Sequence, residues 1–259
     1  MLLVIDVGNT NMALGVYEGE RLVVVWRLTT QASRTVDELG ILCRTLFTLE
    51  DLEVSAVHAI VIASVVPPLD FALRKMANVY FRVDPLFVDW RTPTGMPILY
   101  ENPQEVGADR IADAVAAFAK YGGPCIVVDF GTATTFDAIS AQGEYLGGVI
   151  APGITISAEA LFERTAKLPR VDIRRPEAVI GRSTVASIQS GLYFGYIGLV
   201  DGILARLLDE LGPETRVVAT GGLAHLIGRA SAYIQTLDDT LTLDGLRIIY
   251  ERCQTLRTH

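Results

Sequence analysis

The first thirty residues alternate between apolar runs and polar breaks with the spacing of a meander. Residues 2–7, LLVIDV, form an apolar run with an aspartate next to its end; a tight polar turn, a second strand-like run, a Gly-containing turn and a third run follow. The same order recurs at residues 126–148, IVVDFGTATTFDAISAQGEYLGG. An offset of 123 superposes Val4, Asp6 and Gly8 on Val127, Asp129 and Gly131. One inserted residue then aligns Gly19, Glu20 and Leu22 with Gly143, Glu144 and Leu146. The offset is close to half the chain, so duplication is the natural reading.

After each meander the period changes from two to that of helices. Residues 34–49 have helical periodicity behind possible N-caps Ser33 or Thr35, HAIVIASV (58–65) reads as a buried strand, and PPLDFALRKMANVY (67–80) opens a helix with prolines at its start. In the second half, residues 183–212 form a long helix ended by Gly212 and Pro213, RVVAT (216–220) a strand, and GGLAHLIG (221–228) a helix start. These patterns predict two α/β halves, 1–115 and 116–259, joined at the helix EVGADRIADAVAAFAKYGG, with a ligand cleft between them.

Composition narrows the function classes. Half of the 259 residues are hydrophobic and 20% are charged, so the chain reads as a soluble globular protein. No apolar run reaches the ~18 residues of a membrane span, and no signal peptide is visible, which points to the cytoplasm. A formal charge of −8 without a Lys/Arg run argues against nucleic acid or an anionic membrane as partner and favours a small molecule. Cys43, Cys125 and Cys253 lack metal or disulfide spacing and read as reduced thiols; His58, His225 and His259 read as structural or surface residues. Arg164, Lys167, Arg170, Arg174 and Arg175 read as a solvated basic face that could also steer an anionic substrate.

The chemistry concentrates in the repeated loops. A strand with Asp next to its end, followed by Gly and hydroxyl residues, lets phosphate approach the backbone, offers amide and side-chain donors, and places a carboxylate where it can hold a cation or a cation's water. The alternative for each loop is a hairpin whose Asp or Asn satisfies its own turn. Gly221 and Gly222 form a third glycine turn suited to a flat group such as adenine or ribose. Walker A and GxGxxG patterns are absent from the sequence. Glu105, Asp109 and Asp113, spaced by four, fall on one stripe if a single helix includes them; the alternative is a solvated acidic face. Gly107 and Ala108 leave room for a ligand beside that stripe. Tyr100 is otherwise an aromatic residue before a loop, and Thr184 a possible N-cap of the long helix.

The two loops resemble those of the sugar kinase, actin and heat-shock chaperone superfamily. More narrowly, DVGNTN (6–11), NPQEVGADRI (102–111), DFGTATTFD (129–137), YLGGVIAPGI (145–154), IGRSTVASIQSG (180–191), TGGLAHLI (220–227) and LTLDGL (241–246) resemble, in that order, the type III pantothenate kinases. The resemblance covers essentially the whole chain. It implies two duplicated actin-like (RNase H-like) halves and transfer of phosphate from ATP to pantothenate, giving 4'-phosphopantothenate in coenzyme A synthesis. It further implies Asp109 as general base, with Asp113 the fallback, and a pantothenate pocket of Tyr100, Gly107, Ala108, Asp109, Arg110 and Thr184. ATP falls to Asp6, Val7, Gly8, Asn9, Thr10, Asn11, Met12 and Ala13 with Thr132, Gly221 and Gly222. Asp6 is the candidate for Mg²⁺, directly or through water, and Asp129 for a monovalent cation, K⁺ or NH₄⁺. A homodimer completing the pocket is implied as well. Competing readings are a phosphohydrolase of the same superfamily and a non-catalytic filament subunit or metabolite sensor.

Overall fold

The computed structural model describes residues 1–257; His259 lies outside the described residues. The chain forms two compact units, Met1–Ala116 together with the chain from Leu241 onward, and Ala117–Thr240.

In the first unit, β1 (Leu2–Val7), β2 (Asn11–Glu18) and β3 (Arg21–Thr29) form the antiparallel meander, and β4 (Ala59–Ser64) and β5 (Leu86–Phe87) extend it in parallel on the other side of β1, giving the order β3-β2-β1-β4-β5. The second unit repeats this with β6 (Cys125–Phe130), β7 (Ala133–Ile139), β8 (Tyr145–Pro152), β9 (Arg216–Thr220) and β10 (Thr236–Leu237) in the order β10-β9-β6-β7-β8. Even the bulges coincide, at Val16/Tyr17 of β2 and Ala138/Ile139 of β7.

Strand register corrects the sequence alignment of the repeat. The first hairpin loop runs from Gly8 to Asn11, but its copy runs only from Gly131 to Ala133. The second hairpin compensates: Gly19–Glu20 becomes a turn one residue longer, closed by Ser140 N–H to Glu144 O, with Gly19 and Gly143 both at positive φ. Leu22, opposite Tyr17, is therefore the counterpart of Tyr145, opposite Ile139, and not of Leu146.

Helix ends follow local chemistry. In α1 (Val36–Leu49) Thr35 is the N-cap, forming a capping box with Glu38. Next, α2 (Pro67–Met76) starts on two prolines and runs into a π turn at Ala77–Phe81. Leu39, Cys43 and Phe47 of α1 and Leu69, Leu73 and Met76 of α2 pack on Leu3, Ile5 and Val7 of β1, leaving Asp6 on the opposite face. The helix α3 (Ala108–Tyr121) starts in the first unit and ends in the second, stopped by Gly122 at φ +76.

The second unit adds α4 (Ile154–Glu163), α5 (Thr184–Leu211) and α6 (Ala224–Ile227). Tyr193, Tyr196, Val200 and Leu204, at helical spacing on α5, pack on Ile126, Val128 and Phe136. The N-cap of α5 is Ser183, which accepts from Ala186 N–H at 3.2 Å, so Thr184 is the first helical residue instead. By length and composition α5 could cross a membrane, a feature the sequence pattern was expected to lack. Glycines and small residues interrupt its large apolar side chains, so the sequence shows no unbroken apolar run although the average over an 18-residue window is apolar.

The last helix, α7 (Leu241–Arg257), was placed by sequence in the second half, yet it packs on β1, β2 and β4 of the first unit. Gly245 makes this possible: a Cβ there would lie 2.0 Å from Ala112 O of α3, so the two helix backbones touch. Tyr17, fully buried, donates to Asp244 of the same helix at 2.7 Å. The motif LTLDGL thus has a packing role.

Candidate active site

Three segments meet at the C-terminal edge of the first sheet. The hairpin loop Gly8–Asn11 spends its first amide internally, Gly8 N–H donating to Asn11 O at 3.0 Å, and Asn9, Thr10 and Asn11 face solvent. Thr30, which the sequence reading did not single out, pins the loop by donating its hydroxyl to Gly8 O (2.7 Å) and its amide to Thr10 O (2.9 Å). Asp6, next to last in β1, is half-buried beside it and paired in register with Ala13 and Ala63. Val7 and Met12 bury their side chains in the core, so only their backbones are available to a ligand.

Next to this loop lies the turn after β4. Val65 N–H donates to Val7 O at 3.1 Å, and a Cβ on Gly107 would lie 3.5 Å from the Val65 side chain, which brings the start of α3 to the same edge. Gly107 also abuts Asp109: the same Cβ would stand 2.4 Å from Asp109 Oδ1. That oxygen accepts the Arg110 amide at 2.8 Å. Burial pushes the Asp109 pKa up, against the opposing pull of the Arg110 amide and guanidinium, so the net shift is upward. A carboxylate that is hard to keep ionised, at a helix start beside an exposed loop, is chemically fit to receive a proton.

Glu105 does not share this stripe. It ends a 3-10 turn, Pro103–Glu105, outside α3, and accepts from Asn102 at 2.9 Å; the extended backbone at Val106 separates it from the helix. Asp109 and Asp113 remain on one helical face, the latter buried. Tyr100 is half-buried in the irregular chain leading to α3.

At the corresponding edge of the second sheet, Asp129 is next to last in β6, with its carboxylate set between two glycines. A Cβ on Gly221 would lie 2.3 Å from its Oδ1, and one on Gly131 3.3 Å from its Oδ2. Gly221 has φ +92, a conformation that side chains disfavour, and Gly222 is exposed beside it. Thr132 is exposed at the hairpin tip, its carbonyl against Gly153, where a Cβ would come within 2.2 Å. Thr135, opposite Asp129, donates to buried Asp137 at 3.1 Å, and Tyr145 donates to the same carboxylate at 2.6 Å. Thr184 lines an open groove of about 680 Å³ with Leu161, Arg182, Ser187 and Ile188.

Other candidates settle into structural roles. Arg164, Lys167, Arg170, Arg174 and Arg175 are exposed, Arg170 lying over Phe162. His58 sits 3.1 Å from the amino terminus and His225 pairs with Asp239. All three cysteines are buried thiols outside any disulfide, with the pKa of Cys43 and Cys125 pushed up to about 12 by burial. Among the described residues, no group of three or more His, Cys, Asp or Glu is placed to hold a metal.

Two duplicated α/β sheets, each carrying a strand with an aspartate next to its end before a glycine-containing turn, define the actin-like sugar kinase fold. Solved structures agree on that fold: ethanolamine utilization protein EutJ from Carboxydothermus hydrogenoformans (TM-score 0.57, 16% identity, 95% of this chain and 89% of that one) and the inorganic polyphosphate/ATP-glucomannokinase from Arthrobacter sp. strain KM (TM-score 0.53, 14% identity, 98% of each). The sequence profile of type III pantothenate kinase matches residues 2–206. The type III pantothenate kinase of Koribacter versatilis (strain Ellin345) is 60% identical over 265 residues, covering 98% of this chain and 97% of that one. The chain belongs to the type III pantothenate kinase family, and is an ATP-dependent phosphotransferase.

Proposed function

We propose that the protein transfers the γ-phosphoryl group of ATP to the primary hydroxyl of pantothenate, forming 4'-phosphopantothenate and ADP, at the head of coenzyme A synthesis. The observation that carries this reading beyond family membership is the elevated carboxyl of Asp109 at the start of α3, on the same sheet edge as the exposed Gly8–Asn11 loop.

In the proposed mechanism Asp109 accepts the hydroxyl proton as the acceptor oxygen attacks the γ-phosphorus; the bond to the β,γ-bridging oxygen breaks and ADP leaves. Gly107 holds the carboxylate in place, and Tyr100, Ala108, Arg110 and Thr184 contact pantothenate. Asn9, Thr10 and Asn11 donate to phosphate oxygens, with Thr132 a further ATP contact. Gly221 and Gly222 present bare backbone to the nucleoside. Asp6 suits Mg²⁺, directly or through water, and the glycine-flanked carboxylate of Asp129, a hard oxygen ligand, suits K⁺ or NH₄⁺. These cations offset the charge of the triphosphate. We further propose a homodimer through α5. A Cβ on Gly191, Gly195 or Gly198 would meet nothing within 4 Å, and Val185 and Phe194 are exposed on the same helix. Sedimentation giving an active monomer alone would contradict the dimer.

A coupled ADP-release assay, with mass analysis of the product, tests the reaction. Release that requires pantothenate and yields its monophosphate is the expected result. Equal ADP or phosphate release without pantothenate would replace the kinase reading with a phosphohydrolase.

A further inference from the structure

Between β5 and α3 the chain covers residues 88–107 with no regular structure except a single bridge at Ile98 and the turn at Pro103–Glu105. Such a segment has few backbone bonds to fix it, so its position depends on individual anchors. One anchor comes from the far end of the sequence. Arg252, on α7, donates from Nη1 to Thr94 O at 2.6 Å. Its stem lies along Gly95: a Cβ there would meet Arg252 Nη1 at 3.5 Å and Cδ at 3.7 Å, and the φ of +74 turns the chain at this point. Thr94 is buried and its hydroxyl accepts Met96 N–H at 3.2 Å, so the carbonyl held by Arg252 belongs to a fixed turn. Six residues later the same segment presents Tyr100, and then the Gly107–Asp109 start of α3.

We infer that Arg252 is a positioning residue for the acceptor: by holding the Thr94 carbonyl it sets the segment that carries Tyr100. The inference rests on the proposed role of Tyr100 in binding pantothenate. Arg252 lies beyond the residues matched by the family profile, and it gives the packing of α7 on the first unit a functional consequence. The nucleotide-facing loops make no use of this anchor, so its loss falls on one substrate.

The test compares Arg252→Met, which keeps the stem and removes the donors, with Arg252→Lys, which keeps one charged donor but not the planar fork. The Met variant is expected to raise the KM for pantothenate about 10-fold, the scale of one charge-assisted hydrogen bond, while KM for ATP and kcat stay within about 2-fold. The Lys variant recovers part of the loss. Hydrogen exchange of the peptide spanning residues 91–102 speeds up in the Met variant, with the Gly8–Asn11 region unchanged. Unaltered KM for pantothenate, or a parallel change in both KM values and kcat accompanied by lower Tm, would overturn the positioning role. If the parent enzyme did not phosphorylate pantothenate at all, the functional reading would fall and this inference with it; an active parent with an unchanged variant overturns this inference alone.

Discussion

The turns that follow β4 and β9 occupy the same place in the two copies of the fold and have become chemically opposite. Asp6 is in register with Ala63, and Asp129 with Thr220. Counting on from there, Ser64, Val65 and Val66 correspond to Gly221, Gly222 and Leu223, and the next helices start at Pro67 and Ala224. In the first unit the turn is filled: Ser64 donates to Asp70 at 2.6 Å and accepts the Val66 amide, while Val65 faces Gly107. In the second it is stripped to glycine, and the space goes to the Asp129 carboxylate. The same asymmetry marks the helices that follow β5 and β10. Where α3 has Asp109 in its first turn, α7 has Thr242. Duplication preserved topology, down to the bulges, and divided the surroundings of the carboxylates: one pushed toward protonation by burial at the start of α3, the other lined by glycines.

The largest test of that division is Asp109→Asn, expected to lower kcat by roughly 10²- to 10⁴-fold, the worth of a general base. The variant should also melt higher. A carboxyl whose pKa is raised on folding stabilises the native state least when ionised, and that contribution is lost as pH rises from the usual carboxylate range through the raised value. At pH 7.5 the amide avoids the loss, so Tm should rise by about 2–4 °C. In the parent enzyme the acid limb of kcat/KM should fall above the usual carboxylate range. Near-parental turnover by Asp109→Asn would return the catalytic role to Asp113 or to neither.

Next in size is Gly221→Ala, which forces a side chain into φ +92 and against Asp129, and should reduce ATP-dependent turnover by about 10²-fold. Its counterpart, Ser64→Gly, removes two hydrogen bonds and should cost about 1 kcal/mol in denaturant unfolding, with turnover changed little. If the two substitutions reduced turnover alike, the turns would not be specialised. Asp238→Asn tests a contact of similar size. Buried Asp238 accepts from Lys120 at 2.6 Å and Tyr121 at 2.7 Å; burial raises its pKa, but these bonds outweigh it and hold the group low. The parent should therefore lose stability as pH falls below the usual carboxylate range, and the variant should be weaker by about 2 kcal/mol at pH 7 and insensitive there.

Much of this was legible in the chain because it is written in local pattern. The strands with an aspartate next to their end, the capping residue Thr35, and the prolines of α2 and Gly212 after α5 each act within a few residues of where they occur. Contacts made across the fold were not legible. An apolar helix face says that α7 packs somewhere, but only the fit of Gly245 on Ala112 says where. The spacing of Glu105 from Asp109 matches a helix, yet the helix starts after it. Thr30 and Arg252 hold loops 20 and more residues away by one or two backbone acceptors, a signal with no periodicity. Thr30 had one weak sign, its place as a hydroxyl residue just past β3.

Whether the two aspartate loops do different work is read most directly from the rate of pantothenate-dependent ADP release in Na⁺ and in K⁺ at constant ionic strength for the parent, Asp6→Asn and Asp129→Ala. The parent should show a low rate in Na⁺ that rises with K⁺ or NH₄⁺. In Asp6→Asn that response should survive on a reduced Mg²⁺-ATP-limited rate, and in Asp129→Ala it should be lost. Equal rates in Na⁺ and K⁺ for the parent, or loss of the response in Asp6→Asn with retention in Asp129→Ala, would contradict that division of work.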